Sequence, residues 1–301
     1  MLHLGYFVLV LVGCGRIAFD PLGGDGGSPG DGAGGSDAFA TGPFGMPTNI
    51  TELSSPTALD DDPTLTADML EIYFNSDRVG GTGGADIWVS RRTSTTEAWS
   101  VPSPVAELNT TVDESTPEIS ADGLTMWFSS RRPGGAGDYD VYITTRGNRA
   151  DMWGAPVRHG ELCTVSQETG PHVALAGLYG MFSSLRGGGE YDLWRTTRAA
   201  EADPWLPPTV VTELSTAAYE GDPWTDESAT LLWFARGPDS STLDLFTASR
   251  ASPVDAWTNV TKVSELATAA TDADPWLSPD GRTLVFVSSR DGTFDIFMAT
   301  R

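Results

Sequence analysis

Five copies of one marker set run through this chain in the same order and at nearly constant spacing, and such a repeat leaves few folds open. A proline stands at Pro63, Pro117, Pro171, Pro223 and Pro275, at intervals of 54, 54, 52 and 52 residues. Eleven residues after each comes a phenylalanine: Phe74, Phe128, Phe182, Phe234 and Phe286. An Asp-aliphatic-aromatic triplet follows, starting at Asp86, Asp140, Asp192, Asp244 and Asp295, with an arginine six residues beyond (Arg92, Arg146, Arg198, Arg250, Arg301). Trp99, Trp153, Trp205 and Trp257 lie seven further on, and eight after each begins a Glu-Leu pair: Glu107-Leu108, Glu161-Leu162, Glu213-Leu214 and Glu265-Leu266. The fifth copy stops at Arg301, before any Trp or Glu-Leu; at the other end, Phe44 and Glu52-Leu53 stand eight residues apart. Segment 44–53 reads as the piece that the last copy lacks.

Within a copy the marked segments read as four short strands, rich in aliphatic and aromatic residues and separated by turn chemistry such as Ser120-Ala121-Asp122-Gly123 and Ser278-Pro279-Asp280-Gly281. Longer loops are marked by Pro133-Gly134-Gly135 and Gly187-Gly188-Gly189, and helical periodicity is absent. A four-stranded unit cannot bury both its faces alone, whereas units packed radially around an axis can, with only short edges exposed. The expected fold is all-β, a five-bladed β-propeller of four-stranded blades over 44–301, with strand 44–53 completing the C-terminal blade and closing the ring. A solenoid would instead call for atypical capping units at its ends.

The residues before the repeats carry an address. Leu2 to Val12 is an almost unbroken apolar run, too short to span a bilayer but suited to a signal peptide, and it ends Leu11-Val12-Gly13-Cys14. That ending resembles the bacterial lipobox, which makes 1–13 a lipoprotein signal peptide and Cys14 the lipidated residue. Gly15 in place of Asp implies the outer membrane by the same resemblance. The alternative is an ordinary secretory signal, since the first residues offer His3 and no Lys or Arg. Residues 14–43 then form a tether rich in Gly, Asp, Ser, Pro and Ala that cannot bury enough to order itself. With 18 Lys and Arg against 41 Asp and Glu, the net charge of −23 repels nucleic-acid phosphate and anionic lipid, so membrane contact is expected through the lipid anchor only. Two cysteines and no paired Cys/His spacing point to no zinc site, and no cofactor is expected.

Asp113-Glu114-Ser115-Thr116-Pro117, Ser120-Ala121-Asp122-Gly123, Phe128-Ser129-Ser130-Arg131, Asp138-Tyr139-Asp140-Val141-Tyr142 and Trp153-Gly154-Ala155-Pro156 resemble the WD40-like propeller repeat of the TolB-type class. The resemblance spans about 44–301. It implies a monomeric propeller of the cell envelope that serves as an interaction module, with another envelope protein as partner. TolB-type propellers usually have six blades, so the count of five rests on the copies in this chain.

Candidate site residues recur with the repeat. An acid sits three positions before each proline (Asp60, Glu114, Glu168, Glu220, Asp272), and an arginine follows each repeat phenylalanine, four residues on as Arg78, Arg132, Arg186 and Arg290 or two on as Arg236. Propeller topology puts both sets on one face, where they form either a structural ring of ion pairs or a carboxylate ring that gathers a cation or a basic partner. Catalysis is not expected from acids that occur in every blade. The alternatives are a glycan-binding propeller that uses the tryptophans as a platform and a glycoside hydrolase that uses channel carboxylates. His172 follows Pro171 where the other blades have Thr64, Glu118, Trp224 and Trp276, and a lone histidine there reads as a packing or hydrogen-bonded residue and not a ligand.

Overall fold

The computed structural model describes residues 39–301. Expectations for the signal peptide, for lipidation at Cys14 and for the tether up to residue 38 lie outside the described residues. Strand β1 (Thr48–Asn49) comes first. Blade one is β2 (Asp60–Leu65), β3 (Glu71–Ser76), β4 (Asp86–Arg91) and β5 (Ser103–Pro104); blade two is β6 (Glu114–Ile119), β7 (Thr125–Ser130), β8 (Asp140–Thr145) and β9 (Val157–Arg158). Blade three is β10 (Glu168–Ala174), β11 (Tyr179–Ser184), β12 (Asp192–Thr197) and β13 (Thr209–Val210); blade four is β14 (Tyr219–Thr225), β15 (Leu231–Gly237), β16 (Asp244–Ser249) and β17 (Thr258–Lys262). Blade five is β18 (Asp272–Leu277), β19 (Thr283–Ser288) and β20 (Asp295–Thr300), with β1 as its outermost strand. Each blade is an antiparallel meander, and the innermost strands β2, β6, β10, β14 and β18 touch in turn, β18 meeting β2 to close the ring.

Closure is narrower than the expected strand 44–53, because only Thr48 and Asn49 form ladder pairs, with Met298 and Phe297. Hydrogen bonds from Gly45 N to Thr300 O (2.8 Å) and from Ile50 N to Ile296 O (2.9 Å) extend it on either side. Side chains complete the match. In blades one to four the repeat arginine lies over the repeat tryptophan (Arg92 on Trp99, Arg146 on Trp153, Arg198 on Trp205, Arg250 on Trp257), at 4.0–4.4 Å from the ring centre. In blade five Arg301 lies 4.3 Å over Phe44, which therefore takes the tryptophan's place across the chain ends. Each of these arginines also donates from Nε to a carbonyl in the turn between the two inner strands of its blade: Met69, Gly123, Gly177, Ala229 and Gly281. The four tryptophans are buried in this role, as blade packing and not as an exposed sugar platform. Ala40 and Gly42, which composition assigns to the tether, already bond to blade five through Asp280 O and Arg301.

Candidate functional site

The repeated acids and arginines meet on the face where the innermost strands begin. Asp60 pairs with Arg78, Glu114 with Arg132 (3.4 Å), Glu168 with Arg186 (3.0 Å), Glu220 with Arg236 (3.0 Å) and Asp272 with Arg290 (2.6 Å). Each arginine also donates to the carbonyl of the preceding Glu-Leu leucine: Leu53, Leu108, Leu162, Leu214 or Leu266. The guanidinium thus ties the outermost strand of one blade to the innermost strand of the next. Arg236 comes two residues early in the sequence yet reaches the same pair of acceptors. The five acids are 0% exposed, so their charge is spent inside the wall.

Below this ring, every innermost strand breaks its ladder at the X-Pro step, because proline offers no N–H to its neighbour. The residue before each proline lies in the left-handed region: Asp62 (φ 52°), Thr116 (48°), Gly170 (57°), Asp222 (55°) and Asp274 (50°). A residue before proline ordinarily prefers an extended backbone, so five such positions in one ring hold strain that the surrounding sheets impose. The five X-Pro segments together line a narrow axial channel. Blades one, four and five supply aspartates there, and Asp61 adds a fourth carboxylate that no other blade matches.

These carboxylates face one another. Oxygens of Asp61, Asp62 and Asp274 lie within 4.8 Å of each other, and none of the four acids has an arginine or lysine partner among the described residues. Asp62 accepts from Thr116 N (3.2 Å), and Tyr219 donates its hydroxyl to Asp222 (3.3 Å). Burial raises Asp61, and burial with the neighbouring carboxylates pushes Asp62 and Asp274 well above the usual carboxylate range and Asp222 to about 7. The cluster therefore holds protons near neutral pH. Sequence reasoning passed over it, although the signal is present in the pre-proline series Asp, Thr, Gly, Asp, Asp.

One residue further along, just past the prolines, stand Thr64, Glu118, His172, Trp224 and Trp276, four kinds of side chain at one repeat position. Glu118, Trp224 and Trp276 border the axial channel, and together with His172 they line a cavity of about 320 Å³ beyond it, on the face of the turns between the inner strands. His172 is buried, with Nδ1 2.7 Å from Glu118 Oε1, a contact whose geometry falls short of a hydrogen bond. His172 Nε2 lies against the Thr225 backbone, 3.0 Å from its N and 3.1 Å from its O, while Nδ1 faces the carboxylate. Thr64 donates its hydroxyl to Glu118 Oε2 (2.9 Å). Trp224 and Trp276 wall the other side, and Leu65, Ile119 and Val173 add apolar surface. His172 is thus the buried, hydrogen-bonded residue its sequence position suggests, and it also stands beside Glu118 at the cavity.

Cys163, the free cysteine among the described residues, lies half-buried with Sγ 3.1 Å from His159 O, and burial pushes its thiol up to about 12, which keeps it un-ionised.

No family model matches this sequence, and no curated protein matches it. Solved structures do. A putative TolB from Agrobacterium tumefaciens aligns at TM-score 0.51 and 17% identity, over 83% of this chain and 78% of that one. An α-L-arabinofuranosidase from Podospora anserina aligns at TM-score 0.57 and 10% identity, over 88% and 98%, and an endo-arabinase from Bacteroides thetaiotaomicron at 0.57 and 9%, over 86% and 97%. At such identities the likeness is one of fold alone, and the chain shares that propeller fold with TolB-type proteins and with an α-L-arabinofuranosidase and an endo-arabinase alike.

Proposed function

We propose that this protein is a non-catalytic binding propeller of the cell envelope, tethered by lipid at Cys14, that receives its ligand at the axial cavity. One observation carries the reading: the residue after the repeat proline changes from blade to blade, as Thr, Glu, His, Trp and Trp, and the last four of these side chains gather at one cavity. Structural positions such as the acid–arginine pairs repeat because each blade needs them; a binding site must instead break the repeat to present different groups to one ligand. The cavity's volume falls within the range of about 300–1,000 Å³ usual for small-molecule sites. The ring of ion pairs is left with a structural role, and the partner-binding role expected of it passes to the cavity.

The test is to incubate the purified full chain with a small-molecule extract of the source envelope and identify what is retained by mass spectrometry. A compound retained by the native protein and lost by His172→Ala, with folding intact, supports the reading. Identical profiles for both sink it. Metabolic labelling with palmitate checks the anchor, which Cys14→Ser is expected to abolish.

Glycoside hydrolysis is the second reading, and the Asp222 carboxyl at about 7 favours it, since a proton donor near neutral pH suits that chemistry. The α-L-arabinofuranosidase and endo-arabinase neighbours add fold-level analogy. Against it, the oxygens of Asp61, Asp62 and Asp274 crowd within 4.8 Å, closer than the roughly 5–5.5 Å of a retaining pair and far closer than an inverting one. Release of arabinose from arabinan that disappears in Asp222→Asn would overturn the non-catalytic reading.

A further inference from the structure

The ionisable side chains around the cavity, His172 aside, are all acids. Glu118, Asp226 and Glu227 line it, Asp62, Asp222 and Asp274 line the channel that adjoins it, and no lysine or arginine lines either. Glu118 belongs to both, so its carboxylate stands where the two spaces meet. Leu65, Ile119, Val173 and the two indoles give the wall an apolar stretch, beside the neutral polar side chains of Ser120, Thr225 and Ser228. Trp224 and Trp276 are only 9% and 5% exposed, which gives a sugar ring little aromatic face to stack on. Within this wall Thr225 is 3% exposed and its hydroxyl has no hydrogen-bond partner, a buried polar group that a ligand would satisfy.

We propose that the cavity binds a protonated aliphatic amine, its ammonium at Glu118 and its carbon chain along the apolar wall. This rests on the ligand-binding reading above and names its chemistry. A bare divalent ion would leave the apolar wall uncovered, and an anion would meet only carboxylates. A neutral polyol lacks the charge that the unbalanced acids favour. The ammonium is drawn in by the acidic surroundings, and the hydrogen bond from Thr64 to Oε2 with His172 Nδ1 beside Oε1 pre-positions the Glu118 carboxylate.

Isothermal titration of the full chain with 1,6-diaminohexane, with 1,6-hexanediol as the uncharged match and with xylotriose, tests this. Saturable binding of the diamine alone, weakened at least about ten-fold by Glu118→Gln, is the expected result. Thr225→Val, which leaves every charge in place, is expected to weaken it too, and thermal melting confirms that both variants fold. Diamine binding that is unchanged in both variants reports only attraction to the acidic surface and overturns the proposal. Saturable xylotriose binding without diamine binding overturns it while leaving the ligand-binding reading in place. Silence to all three probes also overturns it, and the envelope-extract experiment then decides the broader reading separately.

Discussion

At the scale of single residues, two sets of acids in the same strands behave in opposite ways because of what faces them. Glu114 is 0% exposed but has Arg132, Ser130 and Thr110 as partners, so its charge is compensated. Removing the cation alone strands that charge: Arg132→Ala is expected to cost about 3–5 kcal/mol, read from the shift of the urea midpoint. The axial acids have one another instead. Their folded-state pKa values lie above the unfolded value of 3.8, so the stability they contribute is full below about pH 4 and drains as the pH rises, through about 7 for Asp222. Melting temperature is therefore expected to fall between pH 4 and pH 8. Asp222→Asn, which keeps the shape and removes the titration, is expected to flatten that fall by an amount on the order of a few kcal/mol. An equal slope in the variant would show that the whole acidic surface, not the cluster, sets the pH dependence.

At the scale of elements, the short closing strand depends on its side-chain anchor more than on its ladder, which has only two residue pairs. Phe44 packs edge-on against Trp233 at 5.9 Å and lies beneath Arg301, joining the segment to blades four and five at once. Phe44→Ala is expected to cost about 3–5 kcal/mol and to release β1 as a unit. Hydrogen exchange checks this: the Gly45 and Ile50 amides are expected to lose protection together while inner-strand amides keep theirs. The inner strands show the converse economy, since one proline per strand both breaks the ladder and turns the preceding side chain toward the axis. The repeated marker pattern predicts a strand at each of these sites. It does not predict the left-handed turn inside the strand, because residues before proline avoid that region unless neighbouring strands impose it.

At the scale of the whole molecule, the ring makes the position of the chain ends a matter of convenience. Arg301 and Phe44 stand in the relation that Arg92 and Trp99 hold inside blade one. A permuted chain that begins at the loop before Asp60 and joins Arg301 to Phe44 through a copy of residues 93–98 is expected to fold to the same circular-dichroism spectrum. Its melting temperature should stay within about 2–4 °C of the parent, the equivalent of roughly 1 kcal/mol in a domain of this size. A permutant that fails to fold would show that the ends are not interchangeable. By itself the sequence determined the blade count, the four-strand unit, the closing segment and the acid–arginine partners, because each of these repeats and repetition is legible along a chain. Only the tertiary structure decided what lies on the axis. Asp62, Asp222 and Asp274 are separated by 160 and 52 residues, and Glu118 and His172 by 54; nothing local couples them, and they meet because five strands converge on one line. A shifted pKa and a shared cavity are properties of that convergence, set by burial and by the charge of distant neighbours.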